Sequence, residues 1–300
     1  MHFLRRWSIP NSPPRPFEQR TMRVAAGVDV GSTQTKAVVM TENGGRSILA
    51  RALVDTGANV RKAAENAFVV ACHSAGIAPT EVGFVVGTGY GRYNISFGNA
   101  QLTEISCHAR GAHFVCPTTR TVIDMGGQDA KAISVGSDGQ VLDFVMNDKC
   151  AAGTGRFLAN AADVMGIGLD EVGPLSLRAT RAVKIATVCT VFVESDILSY
   201  LAQGKKAEDI LGGVHLAIAK RTLSLARRVP LEPDITMTGG VARNVGMVHA
   251  LEEVLGTKMQ VSPDAQFIGA IGAAVFALEK MDQSFESSMW RPEYATGSGH

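Results

Sequence analysis

The feature that most constrains the fold is a pattern that occurs twice in the chain, about 95 residues apart. In the first copy an apolar run ends at Asp29, a glycine turn follows, and polar residues lead to Lys36. The second copy has the same layout, with Asp124 and Lys131 at the matching places. Self-similarity over such a period indicates two related domains. We therefore predict an α/β fold in which a β-β-β-α unit, with a mixed sheet and flanking helices, is duplicated.

Composition and the repeat together divide the chain into four parts. The N-terminal stretch is rich in proline and has no periodicity, so we expect it to be disordered, with Met22 as the natural first residue of the fold. The predicted parts are a disordered extension (1–21), a first domain (22–117 with 268–282), a second domain (118–267) and a polar tail (283–300).

Apolar residues at helical spacing predict helices in both halves of the chain, and most of them fall in the second half. The last helix, which starts at Gly269, is rich in small residues and is therefore expected to pack closely. The other predicted helices are residues 60–75, 104–114, 154–166, 190–203, 207–229 and 241–255.

Charge and cysteine content argue against several classes of protein. The net charge is +1 at pH 7, so the chain lacks the excess of positive charge that binding to nucleic acid or to a membrane surface would favour. The sequence shows neither a signal peptide nor an apolar stretch of about 18 residues that could span a bilayer. The five cysteines include no pair with the CxxC spacing of zinc or thioredoxin sites. We expect a cytoplasmic protein with reduced thiols.

The two Asp-Gly hairpins predict a facing pair of phosphate loops. Asp29 and Asp124 end their strands, where carboxylates can hold Mg²⁺ through water, as this ion prefers. Lys36 can balance the charge of the phosphates. Backbone N–H groups and hydroxyls in glycine loops bind phosphate oxygens. The residues predicted to do so are Gly31, Ser32, Thr33, Gly126 and Gly127.

A third glycine loop completes the predicted nucleotide site. Gly239 and Gly240 follow a strand and open a helix, which suits contact with adenosine, and Asn244 is included in this group. Gln128, or its neighbour Asp129, could orient the attacking water, as such residues do in other NTPases. The chain has no Walker loop, and no GxGxxG at the right place for a Rossmann site. One glycine loop alone indicates no more than a turn, but three in order at strand ends predict binding of ATP or ADP.

Two cysteines share a local setting. Cys150 and Cys189 each stand just before a predicted helix. At a helix N-terminus the free N–H groups and the positive end of the dipole favour a thiolate, or an anionic group that the thiolate binds. The pattern leaves two interpretations open, a ligand role or a small buried hydrophobic side chain. Cys72 and Cys116 are interpreted as structural.

These motifs resemble those of a known superfamily of ATPases. Asp-Val-Gly-Ser-Thr from Asp29, Asp-Met-Gly-Gly-Gln-Asp from Asp124 and Thr-Gly-Gly from Thr238 are similar to motifs of the actin, Hsp70 and sugar-kinase superfamily, which has a ribonuclease H-like fold. Within it, four stretches resemble the BadF/BadG/BcrA/BcrD ATPase family over roughly residues 22–282. They are Gly87–Arg92, Glu104–Ala109, Asn147–Phe157 and Cys189–Ser195. Cys107 and His108 fit the family pattern and are interpreted as packing residues.

The family includes the activators of 2-hydroxyacyl-CoA dehydratases and the ATPase subunits of benzoyl-CoA reductase. The resemblance implies a homodimer, or a heterodimer with a related subunit, that holds one 4Fe-4S cluster at its interface. A cubane cluster needs four thiolates, and Cys150 and Cys189 from each of two chains supply that number. It also implies that ATP hydrolysis drives electrons from ferredoxin or flavodoxin to a CoA-thioester reductase or dehydratase. The length of the tails favours the benzoyl-CoA reductase subunit.

Two alternatives remain open on the residues alone. A sugar or acetate kinase has the same fold and fits this length, but it would not need a cysteine just before the N-terminus of each of two helices. A nucleotide-dependent sensor or scaffold of the actin type would bind nucleotide without transferring electrons. The presence or absence of iron separates both alternatives from the electron-transfer interpretation.

Overall fold

The computed structural model describes residues 23–147, 154–185 and 190–289. The extension of residues 1–21 and the two cysteines Cys150 and Cys189 lie outside the described residues, so the predictions made for them are carried forward as predictions. None of the described helices is both long enough and apolar enough to cross a membrane.

The first half of the chain forms a mixed five-stranded sheet in the order β3-β2-β1-β4-β5. Its first three strands make an antiparallel meander, while β4 runs parallel to β1 and β5 runs parallel to β4. The strands are β1 (Arg23–Val30), β2 (Gln34–Glu42), β3 (Arg46–Asp55), β4 (Phe84–Thr88) and β5 (Ala100–Gln101).

The second half repeats this sheet strand for strand, in the order β10-β9-β6-β7-β8. Again three strands form an antiparallel meander, and β9 and β10 are added in parallel on the other side of the first strand. The strands are β6 (Thr121–Met125), β7 (Ala130–Val135), β8 (Val141–Asn147), β9 (Ile235–Thr238) and β10 (Met259–Val261). The predicted duplication is confirmed.

The described residues contain eight α-helices. They are α1 (Val60–Ser74), α2 (Glu104–Val115), α3 (Gly155–Met165), α4 (Leu169–Ser176), α5 (Thr190–Ala202), α6 (Ala207–Ala226), α7 (Val245–Leu255) and α8 (Ile268–Met289). The segment from residue 283 that was predicted as a polar tail thus begins as the end of α8.

The structure differs from the predicted helices at three places. The short helix α4 was not predicted, because Gly173 and Pro174 break its helical pattern. The helix predicted over 207–229 ends at Ala226. The helix predicted over 241–255 is a 3₁₀ turn over Gly240–Arg243 followed by α7, because Asn244 has an extended backbone and its side chain caps α7 by accepting from the N–H of Met247.

Two helices separate the sheets and connect the halves. Helix α8 packs on β1, β2 and β4, and α2 packs on α8 and on β6–β9. One apolar cluster includes buried residues of both sheets, such as Val38 and Val122, together with Ile271 of α8. Helix α1 covers the outer face of the first sheet, and an apolar cluster with residues of α3–α7 covers the outer face of the second. The two sheets therefore lie on opposite sides of the pair formed by α2 and α8.

The crossing of α2 and α8 depends on two glycines. A Cβ on Gly272 would overlap the carbonyl oxygen of Cys107, and a Cβ on Gly111 would overlap that of Ile268. Backbone atoms cannot move aside as a flexible side chain can, so the helices would have to separate. The close approach is therefore available to glycine only.

We expect Gly272→Ala to lower the free energy of unfolding by about 3 kcal/mol, the upper part of the range for overpacked cores. Chemical denaturation followed by circular dichroism measures this change. Gly45→Ala is the matched control, because nothing lies within 4 Å of a Cβ at that position. Equal stability of the two variants would contradict the assignment of this contact.

Candidate functional site

The two predicted carboxylates occupy equivalent places in the two sheets. Asp29 is the penultimate residue of β1, and Asp124 is the penultimate residue of β6. Each pairs in register with a lysine on the next strand, Asp29 with Lys36 and Asp124 with Lys131. Each aspartate thus has a cation on the neighbouring strand of its hairpin, as the repeated sequence pattern suggested.

The Asp124 carboxylate is enclosed and has three partners. Its Oδ1 accepts from Thr238 Oγ1 at 2.8 Å and lies 3.2 Å from His108 Nδ1. Its Oδ2 accepts from Lys131 Nζ at 3.2 Å. Burial disfavours the charged carboxylate, but the neighbouring His108 and Lys131 and the hydrogen bonds from Thr238 and Lys131 outweigh it, so the pKa of Asp124 lies below its ordinary value. This carboxylate is therefore ionised at neutral pH.

The Asp29 carboxylate is buried against two glycines. Gly89, in the loop after β4, has φ +86°, and a Cβ there would overlap Asp29 Oδ1. A Cβ on Gly269, in the first turn of α8, would lie 2.9 Å from Asp29 Oδ2. Lys36 Nζ is 4.0 Å from the same oxygen. The sequence motif Gly87–Arg92 therefore serves in part to close the loop over this carboxylate.

The two predicted phosphate loops meet. A Cβ on Gly127 would overlap Thr33 Oγ1, which brings the turn of the second hairpin against that of the first. The same hydrogen bond closes both turns, from Gly31 N–H to Gln34 O at 3.1 Å and from Gly126 N–H to Asp129 O at 3.0 Å. Because these two N–H groups are used within the turns, Ser32, Thr33 and Gly127 are the better placed donors for a phosphate.

Gln128 and Asp129 differ in their surroundings. Asp129 Oδ2 accepts from Lys131 Nζ at 2.7 Å, so its charge is already paired. Burial alone would favour the neutral amine, but Asp124 and Asp129 outweigh it and raise the pKa of Lys131. Gln128 is half-exposed beside the loop. Of the two candidates for orienting water, Asp129 is therefore held by Lys131, whereas Gln128 is uncharged and takes no part in that ion pair.

The third glycine loop lies against the second carboxylate. Gly239 has φ +87°, and a Cβ there would lie 2.8 Å from Asp124 Oδ1. Gly240 has open space around it, with nothing within 4 Å of a Cβ. Asn244 Oδ1 accepts from Met247 N–H at 2.9 Å and lies 3.0 Å from His215 Nε2. The loop is thus open at Gly240 and anchored at Gly239 and Asn244.

The helix that follows Cys150 begins on the second phosphate loop. The backbone N–H of Gly155 donates to Gly126 O, and that of Arg156 donates to Gly127 O, both at 2.9 Å. Thr154 Oγ1 also donates to Gly127 O, at 3.0 Å. Helix α3 packs against α5, which begins at Thr190, directly after Cys189. The first turn of α3 is therefore hydrogen-bonded to the second predicted phosphate loop.

The three cysteines in the described part of the chain are free thiols. Burial raises the pKa of Cys72 to about 11 and that of Cys107 to about 12, and it also raises the pKa of Cys116. These side chains stay protonated at neutral pH and are poor metal ligands. No group of three or more His, Cys, Asp or Glu in the described ranges has the arrangement of a metal site.

Sequence reasoning missed two contributions to this site. His108 was interpreted as a packing residue, yet it lies on Asp124, and Thr238 donates to the same carboxylate. The attachment of α3 to the loop at Gly126 and Gly127 was also missed. A usable signal for His108 existed: it is a polar residue on the buried face of α2, whose other buried residues are apolar or small.

Three comparisons place the chain among known proteins. The BadF/BadG/BcrA/BcrD ATPase family matches residues 26–277. The activator of lactoyl-CoA dehydratase from Anaerotignum propionicum is 46% identical over 256 residues, which cover 84% of this chain and 96% of that protein. The solved activator of 2-hydroxyisocaproyl-CoA dehydratase from Clostridium difficile, with bound ADPNP, is 40% identical, with a TM-score of 0.83 over 88% of this chain and 97% of that one.

The fold is shared more widely than the sequence. A ROK family glucokinase from Streptomyces griseus, in complex with glucose and AMPPNP, is only 14% identical but has a TM-score of 0.55 over 85% of this chain and 99% of that chain. This likeness concerns the fold alone. It confirms the predicted duplicated α/β architecture of the actin and sugar-kinase type.

Proposed function

The chain belongs to the BadF/BadG/BcrA/BcrD ATPase family, and on that premise we propose that it hydrolyses ATP to drive low-potential electrons onto an enzyme that acts on a CoA thioester. The observation that carries this proposal is the attachment of α3, the helix after Cys150, to the loop at Gly126 and Gly127. A cysteine ligand and a phosphate loop would then be joined by one hydrogen-bonded segment.

The proposed nucleotide site lies where the two hairpins meet. Gly31, Ser32, Thr33, Gly126 and Gly127 would surround the phosphates, and Lys36 would balance their charge. Gly239, Gly240 and Asn244 would contact the adenosine, since the loop is open at Gly240. A triphosphate is anionic, and the cation beside each carboxylate suits that charge. It also needs the backbone to approach closely, which glycine loops at strand ends allow.

The residues present also fit Mg²⁺. Asp29 and Asp124 offer carboxylate oxygens from matching strand ends, the ligand type that this ion takes, often through water. In the proposed division of the chain, residues 22–117 with 268–282 and residues 118–267, the two carboxylates belong to different domains. Gln128 would orient the attacking water. When bound, the ion would neutralise charge on the phosphates as it does in other phosphoryl-transfer enzymes.

The proposed cluster site combines Cys150 and Cys189 of two chains around one 4Fe-4S group. Helices α3 and α5 begin just after these cysteines and pack on each other, which supports a common site for the two thiolates. When bound, such a cluster stores and passes on one electron. A change at the phosphate loop would reach α3 through the hydrogen bonds of Gly155 and Arg156. We propose this as the route by which nucleotide state acts on electron transfer.

The proposed acceptor is a 2-hydroxyacyl-CoA dehydratase. The two relatives described above carry the names of activators of such enzymes, for lactoyl-CoA and for 2-hydroxyisocaproyl-CoA. A benzoyl-CoA reductase remains the alternative acceptor; the tails that favoured it lie outside the family match and so carry no weight. The proposed donor is ferredoxin or flavodoxin, and the proposed assembly is a homodimer or a heterodimer with a related subunit. Thiolate ligands need a reducing compartment, which the cytoplasm provides.

The test is iron and acid-labile sulfide per chain on anaerobically purified protein, with EPR after dithionite reduction in the presence and absence of ATP. We expect about two irons per chain, half of a shared four-iron cluster, and a spectrum that changes with nucleotide. Metal-free protein that still hydrolyses ATP after cluster reconstitution would exclude electron transfer and leave the kinase or sensor alternatives.

A further inference from the structure

His108 is a buried histidine of α2 that the proposed chemistry does not yet use. It is 7% exposed, and its neighbours on the buried face of the helix are Ile105, Cys107, Ala109 and Ala112. The helix is held in place at its start, where Thr103 caps it and Glu104 pairs with Arg92 Nη1 at 3.0 Å. The helix, which lies between the two sheets, therefore holds the imidazole in a defined position.

The contacts of His108 Nδ1 determine whether this nitrogen carries a hydrogen. Thr238 Oγ1 lies 3.1 Å from Nδ1 and donates its own hydrogen to Asp124 Oδ1, so toward His108 it can only accept. Asp124 Oδ1, at 3.2 Å, is a carboxylate oxygen and also only accepts. Nδ1 must therefore carry a hydrogen that points at these two oxygens. The result is a closed group of three side chains from α2, β6 and β9.

The other ring nitrogen borders the same glycine as the first carboxylate. A Cβ on Gly269 would lie 2.9 Å from His108 Nε2 and 2.9 Å from Asp29 Oδ2, so both atoms border the same glycine at the start of α8. One imidazole thus contacts Asp124 and lies against the glycine that also borders Asp29, the equivalent carboxylate of the other sheet.

We propose that His108 is a positioning residue for the divalent cation of the nucleotide site, an assignment that rests on the proposed function. Thr238 and His108 both contact Asp124 Oδ1, whereas among the described residues Oδ2 accepts from Lys131 alone and so keeps a lone pair for the ion. Without the Nδ1 hydrogen bond the carboxylate keeps only Thr238 and Lys131, so its orientation relative to Asp29 is less constrained. His108 acts through Asp124 and does not itself touch the ion.

The test compares His108→Ala with His108→Asn, because the asparagine amide can place a donor near the position of Nδ1. Free Mn²⁺ is measured by EPR in the presence of ADP, and ADP affinity without metal is measured by calorimetry. We expect His108→Ala to weaken Mn²⁺ binding about 10- to 100-fold, the range for partners that orient metal ligands, with metal-free ADP affinity unchanged. His108→Asn should recover most of the loss.

Two outcomes would overturn the assignment alone, given a wild type that binds both ligands: Mn²⁺ affinity that neither variant changes, or equal losses of Mn²⁺ and ADP affinity in both. His113→Ala is the matched control, a half-buried histidine of the same helix, and it should bind Mn²⁺ as the wild type does. A wild-type chain that binds neither ADP nor Mn²⁺ would overturn the proposed function and this assignment together.

Discussion

Replacing Cys150 with serine is expected to give a colourless protein without iron that still binds ADP. The proposed 4Fe-4S cluster would draw two of its four thiolates from this position in the two chains, and a serine hydroxyl is a poor substitute for a thiolate. The other predicted ligand, Cys189, should behave in the same way. ADP binding should persist, because the glycine loops and the paired carboxylates are built from other parts of the chain. Iron analysis and calorimetry with ADP measure the two properties separately.

The control for this experiment is Cys116→Ser. Cys116 is a free, half-buried thiol whose pKa is raised by burial, so it is not expected to bind iron. The control should keep its full iron content. Retention of iron by Cys150→Ser would refute the ligand assignment. Loss of iron from both variants would instead indicate that the cluster is sensitive to any change in cysteine content.

Replacing either site aspartate with asparagine is expected to lower kcat for ATP hydrolysis about 100-fold or more. A carboxylate that holds Mg²⁺ contributes several kcal/mol of transition-state stabilisation through the ion, and each 1.36 kcal/mol is tenfold in rate. Asp29→Asn and Asp124→Asn should therefore have similar effects on kcat, because the two residues occupy equivalent places in the duplicated hairpins. Steady-state ATPase assays at saturating Mg²⁺ and ATP measure this.

The two variants should differ in stability. Asp124→Asn leaves the buried Lys131 with Asp129 as its remaining carboxylate, so we expect a loss of about 3 kcal/mol, the lower end for a broken buried pair. Asp29 is 4.0 Å from Lys36, so the loss for Asp29→Asn should be smaller. Urea unfolding measures both. An ATPase rate that either substitution leaves unchanged would remove that residue from the site.

The stability difference at Asp124 should depend on pH. The native pKa of Asp124 lies below its unfolded value, so the unfolded state binds the proton more readily. The contribution of this carboxylate is therefore complete above the unfolded pKa of about 3.9 and is lost as the pH falls toward the native value. The gap in unfolding free energy between wild type and Asp124→Asn should accordingly narrow as the pH is lowered below about 4. A constant gap across this range would contradict the native ion pair.

Local pattern was enough to predict the duplicated architecture and the positions of the two carboxylates. The seven-residue spacing from Asp29 to Lys36, repeated from Asp124 to Lys131, is contained within one hairpin, where strand pairing follows from neighbouring residues. The alternation of strands and helices was also local, except at α4 and at the short strands β5 and β10. Gly173 and Pro174 interrupt the helical pattern of α4, and the two strands are too short for their periodicity to be recognised.

Only the tertiary structure decided which distant residues complete the site. His108, Asp124, Thr238 and Gly269 come from four separate elements, and they meet because glycines let α2 and α8 cross at backbone contact. The bond between the start of α3 and the loop at Gly127 likewise joins segments that share no local pattern. Periodicity reports which face of an element is buried, but the partner of a buried polar group depends on how separate elements pack. The sequence by itself therefore determined the hairpins and their charges, and the packing of α2 and α8 between the sheets determined how the two halves form one site.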